Sequence, residues 1–148
     1  MCLSKPTMKV LCEVPFKDKT ITELDVSAKN LGTEGALVVS YYLENNGALE
    51  KLRMAENKNA TKEVGEAIGR ALAQNSVLKV LDISGDGYFC GMNGTGFAKG
   101  IAYGIKNNRA LTSLNLSHIE LCCIDEDGCS EYDASAMTAF ADAIGKNQ

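Results

Sequence analysis

Residues 78–84 read Leu-Lys-Val-Leu-Asp-Ile-Ser, a segment with apolar residues at its first, fourth and sixth positions. The same spacing occurs three more times, in segments that begin at Ile21, Leu49 and Leu111. Successive segments start 28, 29 and 33 residues apart. Because alternating apolar residues are typical of a half-buried strand, the pattern predicts one β-strand about every thirty residues.

The residues between these segments follow a helical period instead. Each interval contains two apolar residues four positions apart, which lie on one face of a helix. These pairs are Val39 and Leu43, Ile68 and Leu72, Ile101 and Ile105, and Phe140 and Ile144. An asparagine stands three positions after the last of each pair, and we expect it to end the helix in a left-handed conformation.

The four units resemble the leucine-rich repeat of the ribonuclease-inhibitor type, whose units run strand, loop, helix and turn. The likeness is carried by the Leu-x-x-Leu-x-Leu spacing and, in the first unit, by Asn30-Leu31-Gly32 and Gly35. It implies an α/β leucine-rich repeat solenoid, a right-handed βα superhelix with a parallel concave sheet and outer helices. The predicted divisions are a flanking segment at 1–20 and repeats at 21–48, 49–77, 78–110 and 111–148.

The composition disfavours several classes of partner and activity. The 148 residues are 45% hydrophobic and 23% charged with a net charge of −4, which fits one globular domain and disfavours nucleic acid and anionic membranes as partners. We find no signal-peptide core and no apolar run of membrane-spanning length, so we expect a cytoplasmic protein with reduced cysteines. With one histidine and no catalytic spacing around it, we expect no enzyme activity and no cofactor.

Polar side chains between the buried leucines would face solvent on the concave side and align from strand to strand. We expect Arg53 to lie between Asp25 and Asp82 in a ladder of alternating charge. Such a ladder either stabilises the sheet, by ~0.2–1 kcal/mol per pair, or binds a protein, and both interpretations stay open. The predicted concave binding residues are Glu23, Asp25, Lys51, Arg53, Glu56, Asp82, Asn115 and His118.

Extra residues in the third and fourth repeats follow a strand and precede a helix, so we expect them on one rim of the stack, where repeat insertions often build binding sites. Tyr88 and Phe89 suit an interface or could shield their own loop. The acidic stretch of the fourth repeat lacks the ligand spacing of a calcium loop and favours a positively charged partner. The predicted rim residues are Tyr88, Phe89, Asp125, Glu126, Asp127 and Glu131.

The same insertions carry cysteines. Cys90, Cys122 and Cys129, with His118, are the candidate metal ligands. Adjacent Cys122 and Cys123 seldom bind one metal together and no Cys-x-x-Cys occurs, so we expect no metal. A redox-sensitive thiol pair remains the alternative.

These features predict a non-enzymatic protein–protein interaction module whose rigid concave surface and acidic rim bind a protein or peptide, best one with positive charge. The alternative is a metal- or redox-responsive regulatory domain. The resemblance alone implies a third function, regulation of a small GTPase. Continuing the repeat phase after Ile144 places the next strand beyond Gln148, so we expect an uncovered apolar end, either in a homodimer or in a fragment of a longer array.

Overall fold

The computed structural model describes residues 18–58, 60–85, 94–119, 121 and 133–146. Within this part of the chain, four short strands alternate with four helices. The strands are β1 (Glu23–Asp25), β2 (Lys51–Arg53), β3 (Val80–Asp82) and β4 (Ser113–Asn115). The helices are α1 (Gly32–Glu44), α2 (Lys62–Gln74), α3 (Gly94–Asn107) and α4 (Ser135–Lys146).

The strands form one parallel sheet in the order β1-β2-β3-β4. Leu24, Leu52, Leu81 and Leu114 occupy the same register position in neighbouring strands, as the repeat spacing predicts. Hydrogen bonds continue the ladder past the strand ends; the N–H of Met54, for example, donates to the carbonyl of Asp82 at 2.8 Å.

The core lies between the sheet and the helices, which pack side by side in chain order. Leu52 and Leu81 on the two inner strands are fully buried, as are Ile68 and Ile101 on α2 and α3. The prediction of an α/β stack with a parallel sheet is therefore confirmed, and the architecture resembles a leucine-rich repeat. The handedness, the curvature and the exact repeat boundaries stay predictions.

Three asparagines that follow the helices, Asn46, Asn75 and Asn108, are buried, and the last two link their repeat to the preceding one. The amide nitrogen of Asn75 donates to the carbonyls of Leu43 and Asn46, both at 3.1 Å, and that of Asn108 donates to those of Leu72 and Asn75, both at 2.7 Å. Each side-chain oxygen accepts from two backbone N–H groups of its own turn at 2.7–2.9 Å. None has a left-handed backbone, so the reason we expected for these residues is wrong.

The helices α2 and α3 approach each other at backbone distance because glycines line both sides of their contact. A Cβ atom on Gly69 would lie 2.0 Å from the carbonyl oxygen of Gly100, and one on Gly65 would lie 2.3 Å from that of Phe97. A Cβ atom on Gly104 would come within 2.6 Å of the carbonyl oxygen of Gly69. No real side chain tolerates such distances, so glycine sets the spacing of these two helices.

Candidate functional site

The side of the sheet away from the helices carries the polar strand residues, and we call it the open sheet face. It comprises Glu23, Asp25, Lys51, Arg53, Val80, Asp82, Ser113 and Asn115, which pair across the strands in the two columns that the repeat spacing predicts. The predicted concave residues of the strands thus lie together on one surface.

Two ion pairs cross neighbouring strands at the start of this face. Lys51 Nζ contacts Glu23 Oε1, and Lys79 Nζ lies 2.9 Å from Glu50 Oε2. The Lys51 ammonium holds the pKa of the Glu23 carboxyl below its usual value, mainly through that hydrogen bond. All four side chains are partly exposed, so solvent screens both ion pairs and they contribute little to stability.

The second column places Arg53 between Asp25 and Asp82, as predicted, but the two aspartates also bind their own turns. Asp25 Oδ1 accepts from the N–H of Ser27 at 2.9 Å, and Asp82 Oδ1 accepts from the N–H and hydroxyl of Ser84 at 3.1 and 2.7 Å. Hydrogen bonds from Ser27, through its backbone first, hold the pKa of Asp25 below its usual value, with only a minor contribution from Arg53. The three charged residues thus align across the strands as predicted, but both aspartates bind their own turns, and neither forms an ion pair with Arg53.

Arg53 is exposed and makes no ion pair with another described residue. Its carboxylate neighbours on either side already accept hydrogen bonds from the turns. Arginine presents five donors in a planar fork that suits carboxylates and carbonyl groups. The open sheet face therefore has an exposed guanidinium group at its centre.

Asn115 repeats the turn contact of the aspartates, accepting from the N–H of Ser117 at 3.0 Å. Glu56 and His118 lie beyond the strands, in turns where both have positive φ (57° and 56°). Ala28 occupies the same place in the first repeat, with φ 53°. Both Glu56 and His118 are exposed, but they belong to the turn after each strand and extend the face at its edge.

The rim residues and the candidate cysteine ligands lie outside the described residues. These are Tyr88, Phe89, Cys90, Cys122, Asp125, Glu126, Asp127, Cys129 and Glu131. Among the described residues, no group of three or more histidine, cysteine, aspartate or glutamate side chains could hold a metal ion. In the same part of the chain, no helix has both the length and the apolar character needed to cross a membrane.

The structure adds one residue that the repeat pattern did not indicate. Asn57 is buried, donates to the carbonyls of Val26 and Met54 at 2.8 and 3.0 Å, and accepts from the N–H groups of Lys29 and Leu31 at 3.0 and 3.2 Å. It holds the turns of the first two repeats together beside the open sheet face. Its position three residues after Met54 is visible in the sequence and was a usable signal.

Comparison with solved structures places the fold. The chain matches the solved structure titled "Leiomodin-1 Actin-Binding Site 2 (ABS2)". The match covers 99% of this chain and 76% of that chain, with 19% sequence identity and a TM-score of 0.66. A second match, to the C-terminal domain of tropomodulin from Caenorhabditis elegans, covers 95% of this chain and 92% of that chain, with 11% identity and a TM-score of 0.48. No protein-family model matches the sequence, and no curated protein matches it.

The resemblance to the ribonuclease-inhibitor type is therefore wrong, because the fold match is to a leiomodin domain. This spacing puts apolar residues where a stack of short parallel strands buries them, so it indicates an architecture and does not distinguish families. The interpretation as a small-GTPase regulator rested on that resemblance alone and is dropped with it.

Proposed function

We propose that this chain is a non-enzymatic protein-interaction module that binds a protein partner through its open sheet face. The observation that supports it best is the exposed Arg53 between two aspartates whose carboxylates accept hydrogen bonds from their own turns. The guanidinium fork is then the group that reaches a partner's carboxylate or carbonyl oxygens. Glu23, Lys51 and Asn115 flank it as polar contacts.

The rigidity of the sheet favours binding. Cross-strand hydrogen bonds, the ion pair of Glu23 with Lys51 and the amide contacts of Asn57 hold the surrounding backbone in place. A surface that is already ordered loses little conformational entropy when it binds, so a modest number of polar contacts suffices. Arginine is also enriched among the residues that dominate binding energy at interfaces.

Actin is the partner that we propose to test first. The solved structure that matches almost the whole of this chain is named for an actin-binding site. At 19% identity this likeness concerns the fold, so the partner is part of the proposal and the experiment has to establish it.

Binding is measured by cosedimentation with filamentous actin and by capture on immobilised monomeric actin. We expect the wild-type chain to bind one of the two forms, and Arg53→Ala to weaken that binding by roughly tenfold or more. Arg70→Ala is the matched control, because Arg70 is an exposed arginine on α2, outside the open sheet face. A thermal melt of each variant checks that folding is unchanged.

The outcomes separate the two parts of the proposal. If neither form of actin binds, actin is the wrong partner. If actin binds equally well to the wild type and to Arg53→Ala, the open sheet face is the wrong surface. The rim residues and Glu56, Asp82 and His118 remain proposed contacts, to be tested after Arg53, as does the preference for a positively charged partner.

A further inference from the structure

The last repeat has an open apolar face. A groove of about 510 Å³ runs between β4 and α4, and eight of its ten lining residues are apolar. The other two, Thr112 and Ser113, carry no charge. Met137 and Ile144 stand at its edge with 50% and 64% of their surfaces exposed.

Comparison with the earlier repeats shows that this exposure is specific to the last one. Ile144 corresponds to Leu43, Leu72 and Ile105, the last core residue of each earlier helix. Those three are at most 8% exposed, because they are enclosed by their own repeat and the next one. The end face therefore consists of core positions that lack a covering layer within the described residues.

The position of Met137 indicates what kind of layer fits. Seven residues before the last core residue, the earlier helices have Ala36, Gly65 and Ala98. Gly65 at this position touches the backbone of the following helix. A methionine side chain would hold a further helix away at the same place. The face is thus shaped for something other than another helix packed at the spacing of α2 and α3.

The free edge of β4 indicates a second property that a covering layer needs, which is the ability to pair with exposed backbone groups. Its partner β3 lies on one side only, because β4 is the last strand of the described sheet. In a parallel ladder the backbone groups of alternate residues point to opposite edges, and those of Ser113 and Asn115 serve β3, as in the bond from the Ile83 N–H to the Asn115 carbonyl. The N–H and C=O of Leu114 therefore point outward at the free edge.

We propose that this end face is the interface with a second copy of the chain, with the two β4 strands antiparallel and Leu114 opposite its counterpart on a two-fold axis. In such an interface the same patch lies on both copies, so a charged residue near the two-fold axis would face its own copy. The groove has no charged residue to do so. Antiparallel pairing lets the two Leu114 residues exchange both hydrogen bonds, and the flexible Met137 side chains fill the irregular space.

The test is the oligomeric state of the full chain under reducing conditions, by sedimentation velocity at low and high protein concentration. We expect a dimer that dissociates on dilution. Ile144→Lys should weaken dimerisation by roughly tenfold or more, since it puts two cations at the apolar interface. Tyr103→Lys is the matched control, because Tyr103 is 59% exposed on α3, outside the groove.

Further readouts keep the proposal falsifiable. If Ile144→Lys does not fold, Met137→Glu replaces it, because a carboxylate is tolerated in the first turn of a helix. Hydrogen exchange of the Leu114 amide should slow on dimerisation in the wild type. A chain that is monomeric at every concentration, a dimer insensitive to both variants, or a Leu114 amide unaffected by dimerisation would overturn the proposal. None of these measurements depends on actin or on the open sheet face.

Discussion

The contacts between helices inside the stack and the surfaces at its two ends use equivalent sequence positions in opposite ways. Seven residues before the last core residue of each helix, the first three repeats have Ala36, Gly65 and Ala98, and the last repeat has Met137. One residue before the last core residue, Ala71, Gly104 and Ala143 line the inner contacts, whereas the first repeat has Tyr42. Small residues therefore mark where one repeat meets the next, and large ones mark where the regular packing stops.

The two ends are treated differently. Tyr42 is only 3% exposed, and its hydroxyl donates to the Asp18 carbonyl at 3.0 Å and accepts from the Asn46 amide at 2.7 Å. The Tyr42 hydroxyl thus accepts a hydrogen bond from the Asn46 amide, whereas carbonyl groups of the preceding repeat accept from the amides of Asn75 and Asn108. Within the described residues, the tyrosine thus closes the first end, whereas Met137 leaves the last end apolar and open.

The largest expected effect concerns equivalent core positions. Leu72→Ala should destabilise the chain by about 3–4 kcal/mol, because it removes a fully buried side chain and leaves a cavity. Ile144→Ala should cost less than about 1 kcal/mol, since Ile144 is largely exposed in a single chain. Urea unfolding under monomeric conditions measures both. Equal losses would mean that the end face is already covered and that the comparison fails.

A smaller effect tests the glycine contact. Gly69→Ala should cost about 1–3 kcal/mol, because the added methyl group forces α2 and α3 apart. Gly145→Ala is the matched control on α4, where a Cβ atom would meet nothing within 4 Å. There we expect a gain of roughly 0.5–1 kcal/mol from helix propensity. If both substitutions stabilise the chain, the close approach does not limit the packing.

An effect of similar size concerns the closed end. Tyr42→Phe should cost about 1–3 kcal/mol, because it leaves the buried Asn46 amide without its acceptor. Burial raises the pKa of Tyr42 above its ordinary value of 10.0. The folded chain therefore holds this proton more tightly than the unfolded chain does. The resulting stability is present below about pH 10 and is lost as the pH rises through the raised pKa.

Alkaline unfolding curves measure this contribution, followed by the absorbance of tyrosinate. Tyr42→Phe should unfold with a weaker dependence on pH above about 10 than the wild type. An unchanged dependence would show that the phenol of Tyr42 is not protected at this end.

Much of the fold was predictable, because the leucine spacing fixes which residues can share a core. Leu24 and Leu114 align in the register that the repeat predicts. The positions of the charges around Arg53 were predicted correctly, but the pattern did not indicate that the aspartates also accept hydrogen bonds from nearby serines. The small residues at helix contacts were overlooked, because the helical pattern was read from large apolar residues alone.

The sequence by itself determined that strand and helix alternate four times and that the strands stack in register, because apolar side chains at a fixed spacing can be buried in only one such arrangement. Only the tertiary structure decided where each polar group finds its partner: Asp25 in its own turn, Asn75 in the preceding repeat and Arg53 with none among the described residues. The physical reason is that burial follows from the period of the chain. Hydrogen-bond partners depend on distances of a few tenths of an ångström, which only the packed repeats define.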